Sequence, residues 1–248
     1  MYNILITTAL NKELKQVKEI IKNLSIKNLN ISFFSSGFWY LESIYNLTKI
    51  LEKNKYDFIL QLWVCWYKSN YIDFFQVWRI YNLDIKKELI PLIFFKFWEL
   101  KWIECSNTPV LKKDILKQEE YIDMESYWFE FVCQKYKIPR IILKVPVDNI
   151  WQETKDFDTK KALIYLKEKI DYNKLLISIR VYLDKQPKKI NLEYYYNYFN
   201  MTFTEKVIFD KFYKKYISLR WDFDLFFQKY KNLSKKEFFL IISKEEKL

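Results

Sequence analysis

The stretch Tyr121–Trp151, YIDMESYWFEFVCQKYKIPRIILKVPVDNIW, constrains the fold more than any other part of the chain. It carries a helix signal followed by a strand signal. Asp123 is placed to cap a helix, with Glu125 in the first turn. Phe129, Val132 and Cys133 recur at helical spacing, and Pro139 stops the helix. Ile141, Ile142, Leu143 and Val145 form a short apolar run, the pattern of a buried parallel strand. The run ends in an acidic loop, Pro146-Val147-Asp148-Asn149. In open α/β sheets ligands bind beyond the carboxyl ends of strands, so Glu125 and Asp148 stand at the edge where chemistry is expected.

Composition narrows that chemistry. The chain has no histidine, which excludes Ser-His-Asp and Cys-His nucleophilic sites and the usual His-ligated metals. Acid–base work must fall to carboxylates, Lys, Tyr or Cys. Cys65, Cys105 and Cys133 lack metal-ligand spacing and read as reduced thiols of a cytoplasmic protein, with no metal and no cofactor expected. No uncharged apolar run approaches the ~18 residues of a membrane span, and the N-terminus lacks a basic start and a small-residue cleavage site.

The Asp123-Met124-Glu125 head of a helix, followed by an apolar strand ending in Asp148, resembles the nucleoside phosphorylase/nucleosidase superfamily, closest to its methylthioadenosine/S-adenosylhomocysteine nucleosidase branch. The resemblance runs from about Ile4 to Asp158, with Val147 where that branch has Ser before the Asp. It implies a three-layer α/β/α phosphorylase-like domain with a central mixed sheet. It also implies a small-molecule nucleoside substrate, a role in purine salvage and a homodimer. Residue by residue, it makes Asp148 the general acid to the purine and Glu13 the base for water. Glu125 takes the ribose hydroxyls, Met124 packs on the sugar, and Val64 and Cys65 lie in a substrate-facing loop. Without the resemblance, Glu13 is an exposed acid in a helix's first turn and Asp148 a loop cap.

Glycine occurs once, at Gly37, where ordinary usage of about 7% predicts roughly 17, and tryptophan occurs nine times. Several tryptophans stand where a turn with φ > 0 is expected, in Phe38-Trp39-Tyr40 and Trp63-Val64-Cys65-Trp66. Glycine at those positions makes both segments similar to the superfamily's two glycine-rich loops. The expectation is that UGA codons of this gene encode glycine and are written here as tryptophan; the alternative is a divergent aromatic protein whose tryptophans are genuine.

Taken in order, Ile4–Thr8 reads as a first strand, and Asn11 opens a helix with the stripe Leu14, Val17, Ile20, Ile21 and Leu24. Ile31–Phe34 is a strand, Tyr40–Glu52 a helix, and Tyr56–Leu62 a strand leading into the tryptophan loop. Ile72–Leu83 and Leu89–Phe97 suit middle strands, Lys101–Val110 a base-pocket segment, Lys112–Glu120 a surface helix, and Lys160–Ile170 the closing helix.

Residues 1–172 form the expected nucleosidase-like domain, and 173–248 a basic, aromatic-rich helical extension. The net charge of +11 is concentrated from Thr159 onward. A helical subdomain accounts for the aromatic spacing better than a nucleic-acid or membrane surface. The expected activity is hydrolysis of the N-ribosidic bond of a purine nucleoside or thionucleoside. The alternatives are a phosphate-dependent phosphorylase and an inactive nucleoside-binding relative.

Overall fold

The computed structural model describes residues 1–24, 26–37, 39–68, 74–108, 120–149, 159–186, 192–218 and 223–245. They divide into two compact units, Met1–Leu183 and Asp184–Leu248.

The first unit is built on an eight-stranded mixed sheet. Strands β1 (Tyr2–Thr8), β2 (Leu29–Ser35) and β3 (Phe58–Tyr67) run parallel, with β1 in the middle. β8 (Arg140–Asn149) lies parallel to β3 over nearly its whole length. β4 (Phe75–Asn82) pairs antiparallel with β8 and with the short β5 (Lys87–Leu89), and parallel with β6 (Leu100–Cys105). β7 (Tyr121–Asp123) runs parallel to β6 and antiparallel to the end of β3. The strand order on the main path is β2-β1-β3-β7-β6-β4-β5.

Strand alternation sorts the side chains into two cores. On one face Ile4, Ile6, Phe58, Leu60, Leu62, Ile141, Leu143 and Val145 pack against α1 (Asn11–Lys22), α4 (Thr159–Glu168) and α5 (Tyr172–Asp184). On the other, Leu5, Ile59, Phe75, Val77, Ile103 and Ile142 pack against α2 (Tyr40–Lys53) and α3 (Ser126–Tyr136). This is the three-layer α/β/α arrangement with a mixed sheet that the sequence led us to expect. Phe129, Val132 and Cys133 form the buried face of α3, as their spacing indicated, and Lys137 closes that helix in the left-handed region (φ 54).

Four expectations are corrected. Trp63-Val64-Cys65-Trp66 is not a loop, because β3 continues through it to Tyr67 in register with β8. Asp148 is likewise not in a loop but in the last turn of pairing of β8, opposite Trp66, just beyond a bulge. Leu89–Phe97 forms no strand beyond Leu89; instead Gln76 holds the segment, accepting from Phe97 N (2.8 Å) and donating to Phe95 O (3.0 Å). The domain boundary moves from 172 to 183, since Leu175, Leu176, Ile179 and Leu183 of α5 pack into the first unit's core. Most of the expected Lys112–Glu120 helix lies outside the described residues.

The second unit contains α6 (Leu192–Tyr198), α7 (Phe203–Ser218), α8 (Phe223–Tyr230) and α9 (Lys235–Glu245). Its core is almost wholly aromatic, with Phe199 stacked on Phe238 at 4.3 Å and Tyr195 edge-on to Phe227 at 4.5 Å. Two helices start with reciprocal caps: Thr202 N donates to Glu205 (2.7 Å) and Ser234 N to Glu237 (2.9 Å). The aromatic stripe is therefore mostly core, although Tyr194 and Phe203 face solvent, and Lys211 is exposed.

At the amino end of β8, Arg140 is fully buried against Glu130 of α3, donating from Nε at 2.8 Å and also from Nη2. Gln134 donates to the same carboxylate (2.8 Å). Removing one member of such a pair strands a buried charge. Arg140→Met should cost roughly 3–5 kcal/mol in urea unfolding, and adding Glu130→Met should recover most of the loss.

Candidate active site

At the carboxyl ends of the parallel strands, two acidic segments meet a buried lysine carried on a third segment. β1 ends at Thr8, and α1 begins after Leu10. Glu13 in the first turn reaches back to accept from Leu10 N (2.9 Å), which satisfies a helix-end donor and turns the carboxylate inward. It is 1% exposed, and its Oε1 has no hydrogen-bond partner. An exposed first-turn acid, the ordinary reading of this position, is therefore ruled out.

The second segment is the β7–α3 junction. Asp123 accepts from Ser126 N (3.3 and 3.2 Å) and from the Ser126 hydroxyl, so it does cap α3. Glu125 is the residue immediately before the helix, not one in its first turn, and accepts from Met124 N at 3.3 Å. Met124 and Glu125 are both buried.

The third segment is β8. Lys144 is wholly buried, ion-paired through Nζ to Asp123, and lies 4.6 Å over the ring of Trp63, its partner across β3. The sequence reading missed Lys144. The available signal was a lysine inside Ile-Ile-Leu-Lys-Val, where a buried strand should be apolar. Further along β8, Lys161 of α4 donates to Val147 O at 2.6 Å, tying down the bulge before Asp148. The Asp148 side chain lies outside what is described, so the structure places it by its backbone alone.

Val64 and Cys65 are not brought together. Val64 packs into the α1/α4 core, whereas Cys65 lies on the α2/α3 face with Trp63. Burial pushes the Cys65 thiol well up, as it does those of Cys105 and Cys133, and all three are unpaired with one another. Among the described residues no group of acids and cysteines has metal-ligand geometry, and no helix is long and apolar enough to cross a membrane.

The electrostatics follow from burial. Desolvation raises the Glu13 carboxyl to about 7, with the Leu10 amide and Lys144 opposing it. Burial, then the neighbouring Asp123 charge, pushes Glu125 well above the carboxylate range, with Lys144 opposing. One acid is thus poised near neutrality to exchange a proton, and burial pushes another in the protonated direction. That division of labour is typical of acid–base sites.

No protein-family model and no curated protein matches the chain. Solved structures do. It has the nucleosidase fold. A 5′-methylthioadenosine/S-adenosylhomocysteine nucleosidase of Campylobacter jejuni superposes with TM-score 0.57 at 14% identity, covering 74% of this chain and 98% of that one. A Helicobacter pylori nucleosidase variant with 5′-methylthioadenosine in its active site gives 0.58 at 14%, over 75% and 99%. A futalosine hydrolase variant of Helicobacter pylori gives 0.57 at 14%, over 75% and 100%. The nucleosidase fold thus accounts for the whole of those chains and for about three quarters of this one.

Two predictions follow from the cluster. Glu13 has a folded-state value above its ordinary 4.5, so the native state holds this proton more tightly than the unfolded chain. That contribution is full below 4.5 and is lost as pH rises through about 7, a swing of roughly 3 kcal/mol. Glu13→Gln should therefore match the parent's melting temperature near about pH 4 and exceed it by roughly 6–12 °C near about pH 8 in scanning calorimetry. Lys144→Met, which leaves Asp123 buried without its cation, should destabilise by roughly 3–5 kcal/mol in denaturant unfolding.

Proposed function

We propose that the chain hydrolyses the N-ribosidic bond of a purine nucleoside or thionucleoside. The observation that carries this reading is the buried Glu13 carboxyl. It is poised at about 7, has one oxygen unpartnered, and shares a cluster with Glu125, Asp123 and Lys144 at the strand ends of a nucleosidase fold.

In this account Glu13 takes a proton from water as the water oxygen attacks the anomeric carbon. Asp148 gives a proton to N7 of the leaving purine as the bond to N9 breaks. Glu125, pushed toward its protonated form by burial, donates to one ribose hydroxyl and accepts from its neighbour, and Met124 packs against the sugar. The products are the free base and the free sugar. The proton gained by Glu13 offsets the one lost by Asp148. An inverting glycosidase divides the same task between two carboxyl groups and a water.

Two of the four arginines are committed elsewhere, which favours water over phosphate. Phosphate is usually held by Arg with loop amides. Arg79 is committed to Glu88 and stacked 3.6 Å over Trp102, and Arg140 to Glu130 at the opposite end of β8. The cluster's cation is Lys144, and Asp123 already neutralises it.

The test is base release from methylthioadenosine, adenosylhomocysteine and inosine, with and without phosphate. Release that ignores phosphate and falls by about a hundredfold or more in both Asp148→Asn and Glu13→Gln supports hydrolysis. The acid limb of kcat/KM should break at about 7, because activity needs Glu13 ionised in the free enzyme. Release only with phosphate would make the chain a phosphorylase.

A further inference from the structure

The least explained side chain in the first unit is Trp63. It sits in β3 with 1% exposure, directly across from Lys144, whose Nζ lies over its ring. Its Nε1 has no hydrogen-bond partner. Two positions earlier on the same strand face, Gln61 is fully buried and neither its amide nitrogen nor its amide oxygen has a partner. Ser43, from the buried face of α2, and Oε1 of Glu13 are in the same condition. Buried polar groups in folded proteins are nearly always satisfied by protein, water or ligand. Here Gln61 and Trp63 share one strand face, and Trp63 and Glu13 are both neighbours of Lys144.

The backbone shows which need of glycine these positions do and do not share. No described tryptophan has φ > 0, which corrects the expectation that these residues occupy left-handed turns. The left-handed positions are held instead by Gly37 (φ 90), Asn28, Lys86, Lys137 and Asn200. What the tryptophans share with glycine is a different need. Trp78 is the extra residue where the β4–β6 register shifts, and Trp66 borders the shift between β3 and β8. Bulges and close approaches of another molecule to a strand are the places where a strand carries glycine. Trp63 lies three residues before Trp66 on the same strand, in register with Lys144.

We propose that the working protein carries glycine at position 63, and that the space filled by the Trp63 indole in this sequence is ligand space. The proposal rests on the nucleosidase reading for the identity of the ligand, a purine nucleoside. Its glycine half does not depend on that reading. With glycine at 63, the β3 backbone at 63, the Gln61 amide and Lys144 would line an opening of indole size, with donors and acceptors suited to a sugar's hydroxyls.

The tryptic peptide Tyr56–Lys68 contains Trp63 and Trp66, so its mass in protein purified from the cells that encode it reads both positions directly. A peptide lighter by the difference between tryptophan and glycine at 63 is the expected result, and a peptide retaining that indole overturns the proposal whatever the activity. In parallel, calorimetric titration with methylthioadenosine and inosine compares the chain as given, Trp63→Gly, and a variant with glycine at all nine tryptophan positions. At least tenfold tighter nucleoside binding by a glycine variant that keeps the parent circular dichroism is expected. Equal binding by the parent and the folded glycine variants overturns the ligand-space claim. A light native peptide with no nucleoside binding by any variant sinks the nucleosidase reading and leaves the glycine assignment standing.

Discussion

The ion pair between Lys144 and Asp123 is the interaction on which the site depends. Both groups are essentially removed from water, and each is expensive to bury alone. Asp123 is fixed by its hydrogen bonds to Ser126 at the start of α3, and Lys144 by its place in the middle of β8. Joining them locks the helix junction that carries Met124 and Glu125 to the strand that ends in Asp148. Such a pair contributes little net stability compared with apolar residues of the same size. Its value is that it sets the charge seen by the neighbouring acids.

That charge explains why two carboxyl groups can coexist in an apolar interior. Desolvation drives both Glu13 and Glu125 toward their neutral forms, while Lys144 pulls them back. Glu13 also has the Leu10 amide to stabilise its anion and settles at about 7. Glu125 feels the Asp123 charge as a further push toward protonation. One cation, unequally shared, thus leaves two buried acids in different electrostatic surroundings. The rest of the first unit is scaffolding that places three chain segments at one sheet edge.

Much of this was legible in the sequence, and the failures share a physical cause. The helix of Phe129, Val132 and Cys133, the apolar strand after Pro139 and the first-turn position of Glu13 follow from periodicity and breakers, which are local. Lys144 was invisible because its meaning lies in a partner 21 positions away, and a lone lysine in an apolar run looks like noise until Asp123 is opposite it. The extent of β3 was misread because Trp63 and Trp66 look like turn substitutes, whereas pairing with β8 keeps the chain extended through both. The boundary at α5 failed for a similar reason, since the aromatic and apolar spacing of that helix continues into the tail and only the packing of Leu175, Leu176 and Ile179 assigns it to the sheet.

The central claim is that burial beside a shared lysine poises Glu13 for proton transfer. Site-specific carbon NMR titration of the Glu13 side-chain carboxyl in the ligand-free protein tests it most directly. The account predicts a midpoint at about 7, moving upward when Lys144 is replaced by Met in protein that remains folded. A midpoint near the ordinary 4.5 would contradict it, because Glu13 would then be a solvated first-turn acid and the cluster would have no base tuned to neutral pH.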